Sequence, residues 1–133
     1  MSRKKTEGQY EGRQNHIPNL KTPKIESWKF QYPGSETSIE VQIPEFTCIC
    51  PKTGLPDFAT LMITYTPDKL CLELKSLKEY INFYRDVGIF HEHVVNKFLG
   101  DCVQACNPKS MEIRGVFNPR GGIQTTAVAK YIR

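Results

Sequence analysis

From Ser38 the stretch SIEVQIP alternates apolar and polar positions with the period of a half-buried strand. FATLMITYTP alternates likewise, and DKLCLELKS follows it across Pro67 and Asp68, which predicts two strands joined by a short turn, a β-hairpin. The period then changes. Leu77, Tyr80, Ile81 and Tyr84 in LKEYINFYRD recur at helical spacing, and Val94, Val95, Phe98, Leu99 and Val103 in IFHEHVVNKFLGDCVQAC repeat the pattern, predicting two amphipathic helices. KSMEIRGVFN and IQTTAVAKYI return to alternation on either side of PRGG, whose glycines suit the turn of another hairpin. The order is ββααββ, an α+β class: an antiparallel sheet of four strands with two helices on one face. Residues 1–27 are polar and broken by Gly and Pro, so they read as a flexible tail before a single domain over 28–133. The bare sheet face and the sheet edges call for pairing with further copies, so residues distant in sequence would converge across an interface.

Length and composition agree with one packed domain: 133 residues, 39% hydrophobic and 24% charged. No apolar run approaches the ~20 residues that span a bilayer. MSRKKTEGQY is basic but lacks an apolar stretch behind it, so the expectation is a cytoplasmic chain in a reducing compartment with its five cysteines as thiols. The net charge of +4 favours anionic partners, but beyond the first five positions the basic residues are scattered. A nucleotide-sized anion suits this charge as well as a nucleic acid does.

The cysteines separate by position. Cys71 falls in a predicted strand, and Cys102 and Cys106 stand four apart on a predicted helix, where small buried side chains are the simplest explanation. A zinc site drawing on Cys102, Cys106, Cys48 or Cys50 and His91 or His93 is an alternative, though no pair has zinc-finger spacing. Cys50 differs because Pro51 and the turn KTGLP follow it, so the backbone leaves the strand there and presents sulfur at a loop mouth. Asp57 closes the same loop. A carboxylate returned toward a thiol is the minimum equipment for covalent chemistry on an electrophilic carbon, and it is also a residue that caps turns.

GIFHEHVV places His91 and Glu92 where the second helix starts, and the unpaired amides there favour an ionised carboxylate. Two carboxylate oxygens match the ring N–H and exocyclic amine of a guanine-like edge; plain charge complementarity with the helix is the other meaning. Lys75 and Lys78 share one helix face, suited to dinucleotide phosphates or simply to solvent. No Gly-x-Gly-x-x-Gly follows a strand, so a nicotinamide cofactor would be held by side chains.

Together these residues resemble the QueF family in its short single-domain form, the NADPH-dependent nitrile reductases that convert 7-cyano-7-deazaguanine to 7-aminomethyl-7-deazaguanine in queuosine biosynthesis, a tRNA modification. The resemblance runs from about Phe46 to Arg120 through FTCICPKTGLPDFA, ELKSLKEY, YRDVGIFHE and NPRGG, with Glu79 standing where Leu or Tyr is usual. It implies a tunnelling fold whose subunits form rings, here a homodecamer of two pentamers. It also implies Cys50 as the nucleophile that forms a thioimide and Asp57 as its proton donor. Leu72, Glu73, Leu74, His91 and Glu92 would contact the base, and Lys75, Lys78 and Arg120 the cofactor. Two NADPH would be used per nitrile, with no metal and neither a stable nucleic-acid partner nor a membrane. Two other classes stay open: a zinc-dependent pterin-type cyclohydrolase on the same fold, and a nucleotide- or RNA-binding module that tolerates loss of Cys50.

Overall fold

The computed structural model describes residues 11–133. A four-stranded antiparallel sheet has the order β2 (Ile39–Ile49), β3 (Pro56–Thr66), β5 (Ser110–Phe117), β6 (Thr126–Ile132), while β1 (Ser27–Lys29) and β4 (Leu70–Leu72) form a separate two-stranded pair. Helices α1 (Leu74–Phe83) and α2 (His91–Cys106) lie between β4 and β5 in the chain. This is an α+β protein.

Along β3 the side chains of Asp57, Ala59, Leu61, Ile63 and Tyr65 are buried and their neighbours are not, the alternation of a sheet covered on one face. Met111, Ile113, Gly115 and Phe117 repeat it on β5. Against that face α2 sets Val94, Val95, Phe98, Cys102 and Cys106. A Cβ built on Gly115 would lie 3.0 Å from Val95 Cγ1 and 3.1 Å from Leu61, so helix and sheet approach closely there. On α1, Tyr80 stacks on Phe98 of α2, with ring centroids 5.4 Å apart, and its hydroxyl donates to Asp101. The other sheet face is bare, with Phe58, Val128 and Ile132 exposed.

Two expectations change. The predicted pairing of FATLMITYTP with DKLCLELKS does not form: β3 is flanked by β2 and β5, and the short β4 pairs with β1, Trp28 opposite Cys71. The chain does turn at Pro67, but alternation says which face a residue occupies and not which strand lies beside it. The first hairpin is instead β2–β3, closed by the loop Cys50–Leu55, with a bulge between Ile43 and Phe46 where Pro44 has no N–H to give.

The second change concerns the tail. Its residues 1–10 lie outside the described residues, but the rest packs on the domain. Ile17 and Ile25 are buried in the core, Glu26 N–H donates to Ser76 Oγ at 2.8 Å, and Glu73 N–H donates to Glu26 O at 2.9 Å. Two isoleucines spaced along a polar stretch are enough to seat it, since burial is decided by individual side chains and not by mean composition.

Candidate active site

β2 and β3 end in register, with Cys48 opposite Asp57 and Ile49 opposite Pro56. The loop beyond is closed by Cys50 N–H donating to Leu55 O (2.8 Å) and Gly54 N–H donating to Cys50 O (2.9 Å), with Gly54 at φ +72°. That positive φ is why a glycine sits in the turn. The Gly88 loop runs alongside: Ile49 N–H donates to Val87 O (2.9 Å) and Ile89 N–H to Ile49 O (3.1 Å). This lacing sets the N-terminus of α2 beside the cysteine loop. A cavity of about 300 Å³ opens between them, lined by Cys50, Thr53, Asp57, His91, Glu92 and Arg120, with Pro51 and Phe90.

Asp57 is the buried charge of the site. Its Oδ2 lies 3.1 Å from His91 Nε2 and its Oδ1 3.6 Å from an Arg120 guanidinium nitrogen. The His91 ring stacks on Phe117 at 3.6 Å between centroids and 8° between planes, which fixes the imidazole against the carboxylate. Arg120 is delivered by a two-residue turn in which Arg120 N–H donates to Ile123 O (2.9 Å) and Ile123 N–H to Arg120 O (3.0 Å). Gly121 and Gly122, at φ +59° and +82°, supply the paired positive dihedrals that this turn demands.

The two neighbouring thiols differ sharply. Cys48 is fully buried, and desolvation, with the charges of Asp57 and Cys50 adding to it, pushes its thiol up to about 12. Cys50 is partly exposed at the cavity, whereas Cys71, Cys102 and Cys106 are all buried. Glu92 is exposed in the first turn of α2 and faces the same cavity.

The other expected site residues lie elsewhere in the chain. Leu72 is in the core, and Leu74 is exposed. Glu73 caps α1, accepting from Ser76 N–H (2.7 Å) and Lys75 N–H (2.9 Å), and those amides hold its carboxyl below the usual range. Lys75 is exposed on α1; Lys78 lines a different depression of about 460 Å³ together with Leu74, Arg85 and Pro44. None of these residues borders the Cys50 cavity, whereas Arg120 does, against Asp57. Among the described residues no group of three or more His, Cys, Asp or Glu side chains converges as a metal-ligand set, and no helix is long and apolar enough to cross a membrane.

Sequence reasoning missed the Asp57–His91 contact and the Phe117 platform. The turn glycines of PRGG signalled that Arg120 is held in place, but not that it meets Asp57.

Comparison with known proteins converges on one family. The family model described as QueF-like protein matches residues 56–133. A protein of Elusimicrobium minutum named NADPH-dependent 7-cyano-7-deazaguanine reductase is 54% identical over 113 residues, 85% of each chain. One of the same name from Nitrosococcus oceani is 50% identical over 115 residues, 86% of this chain and 89% of that one. The crystal structure of an archaeosine synthase QueF-Like in the apo form superposes with a TM-score of 0.67 over 72% of this chain and 94% of its own, and at 21% identity it speaks for the fold alone. On the family match and the identity to these relatives, the chain belongs to the QueF-like protein family.

Proposed function

We propose that this protein is an NADPH-dependent oxidoreductase that reduces the nitrile of 7-cyano-7-deazaguanine to an aminomethyl group through a covalent thioimide on Cys50. The observation that carries this is the joining of one accessible thiol, one buried carboxylate and the first turn of α2 in a single cavity. A nitrile carbon is a poor hydride acceptor but accepts a thiolate: the S–C bond forms as one C–N π bond breaks, and the nitrogen takes a proton from Asp57. NADPH supplies one hydride to the resulting thioimide carbon and a second after the thiolate leaves, four electrons per nitrile with two protons drawn from the medium. Asp57 is suited to the proton step because His91 and Arg120 hold its carboxyl in place.

Glu92, exposed at the cavity, grips the N–H edge of the base, with His91 beside it. The cavity of about 300 Å³ suits a bicyclic base. For an anionic dinucleotide the donors are Lys75, Lys78 and Arg85, the latter two around a partly apolar depression.

Leu72, Glu73 and Leu74 stand apart from Cys50, and the sheet face bearing Phe58 and Val128 is bare. Both features support a tunnelling-fold ring in which a second copy completes the base pocket, expected as a decamer of two pentamers. The setting is cytoplasmic queuosine synthesis, with residues 28–133 as the catalytic domain and the segment before it packed on that domain.

The deciding experiment is the intact mass after incubation with 7-cyano-7-deazaguanine in the absence of NADPH. A gain equal to the nitrile's mass on the wild type, absent from Cys50→Ala, is expected; an unmodified wild-type protein refutes the mechanism.

A further inference from the structure

The N-terminal 3-10 segment Glu11–Asn19 sends one side chain across to the loop that precedes α2. Gln14 Nε2 donates to Gly88 O at 3.0 Å, and Gln14 Oε1 accepts from Phe90 N–H at 3.2 Å and lies 2.9 Å from His93 Nδ1. Phe90 is the N-cap of α2 and its own side chain offers no acceptor to the helix start, so this acceptor arrives from outside the helix. The three contacts bracket His91 and Glu92. On its other side the same loop is bonded to Ile49, through Val87 O and Ile89 N–H, one residue before Cys50. Main chain 87–90 is therefore held from two sides, by the cysteine-bearing strand and by a glutamine 74 residues upstream of Gly88. Ile17, buried in the core, anchors the segment from which Gln14 reaches.

Only a primary amide does this work. It offers N–H donors and a carbonyl acceptor on one planar group, so it can meet a carbonyl and an amide two residues apart on a single strand. A carboxylate would turn lone pairs toward Gly88 O. An apolar chain of equal length would leave Gly88 O and Phe90 N–H without these partners.

We propose that Gln14 is a positioning residue for the Cys50 chemistry, holding His91 and Glu92 at the distance from the thiol that the bound base requires; this rests on the function proposed above. It touches neither the cavity nor the sulfur, so it acts through the loop. Placement errors far from the reacting atoms are costly in such sites, because rate depends on the geometry in which the reactants meet.

The test compares two reactions of the same sulfur in the full chain. Gln14→Met is expected to slow addition of 7-cyano-7-deazaguanine to Cys50, followed by mass without NADPH, by about 10-fold or more. Alkylation of Cys50 by iodoacetamide, which needs neither His91 nor Glu92, is expected to be unchanged, since Cys50 stays held by its own turn to Gly54 and Leu55. Gln14→Glu keeps the acceptor for Phe90 and His93 but loses the donor to Gly88; it is expected to fall between wild type and the methionine variant, and it decides the question if that variant does not fold. Unchanged nitrile addition in the variants, or a parallel change in both reactions, overturns the positioning role while leaving the proposed function intact. A wild-type protein that takes no adduct overturns both.

Discussion

Native-state thiol labelling puts the choice of nucleophile to a quantitative test. Cys48 and Cys50 are one residue apart, yet burial lifts the Cys48 thiol from 9.0 to about 12. At pH 8 an ordinary thiol with that starting value is about one-tenth ionised, whereas a group titrating near 12 is ionised in about one molecule in 10,000. The ~1,000-fold deficit corresponds to about 4 kcal/mol of lost thiolate at Cys48, before any barrier to reaching a side chain with no exposed surface. The other three cysteines are buried as well, and desolvation raises the thiols of Cys71, Cys102 and Cys106. Iodoacetamide should therefore add once to the folded protein and five times after denaturation, matching the five free cysteines. The single native label should vanish in Cys50→Ala and persist in Cys48→Ala. Peptide mass mapping with fragmentation across Phe46–Lys52 separates the two sulfurs. Labelling of Cys48 at a rate within about tenfold of Cys50 would show that its burial does not suppress the thiolate, and the selection of Cys50 on this ground would fail.

Four further outcomes are expected. Asp57→Asn should lower turnover at least ~100-fold while substrate binding changes far less, because the carboxylate supplies a proton and does not grip the base; turnover within a few-fold of wild type in a stopped assay of NADPH oxidation would move the proton source elsewhere. Glu92→Gln should weaken calorimetric binding of 7-cyano-7-deazaguanine at least ~10-fold, since one oxygen becomes a donor facing a donor, with a thermal melt close to wild type because Glu92 is exposed. Gly115→Ala should cost about 1–3 kcal/mol in denaturant unfolding, as the new methyl meets Val95, Leu61 and Phe117 at 3.0–3.1 Å; an unchanged midpoint would mean that these side chains yield freely. Stability should fall as pH rises above 9: the unfolded Cys48 thiol ionises there while the folded one holds its proton until about 12, so this group alone removes about 1.4 kcal/mol per pH unit, and urea midpoints that stay flat from pH 8 to 11 would contradict its burial.

The parts of the fold legible in the sequence were those in which partner and pattern are local. Both helices fall where apolar spacing predicts them, and β5 and β6 pair around Gly121 and Gly122 because a two-residue turn leaves little choice of partner. Pairing between distant segments was not legible. β4 is three residues long and finds β1 across more than forty residues, and nothing in the alternation of LCLEL distinguishes that partner from β3. The segment carrying Ile17 and Ile25 escaped notice for a related reason, since two apolar side chains disappear in the average of a polar stretch yet suffice when each meets a formed core.

The candidate site divides along the same line. Cys50 and Asp57 belong to one loop, and the turn chemistry of PKTGLP announces that the chain reverses between them, so their proximity could be read directly. His91 meets Asp57 only because Ile49 bonds to Val87 and Ile89, a parallel contact between a strand end and a loop that neither segment signals alone. Phe117 underlies His91 because β5 runs antiparallel beside β3, setting Phe117 opposite Ala59, two residues along the same face from Asp57. The carboxylate is thus held by groups from four parts of the chain: its own strand, the start of α2, the end of β5 beneath the imidazole, and the glycine turn bearing Arg120. Such convergence explains why a buried acid tolerates its position. His91 and Arg120 supply donors to its two oxygens, and burial without such partners would cost several kcal/mol. Loss of either donor should therefore be felt first at Asp57, as a change in when it gives up its proton, before it is felt in the fold.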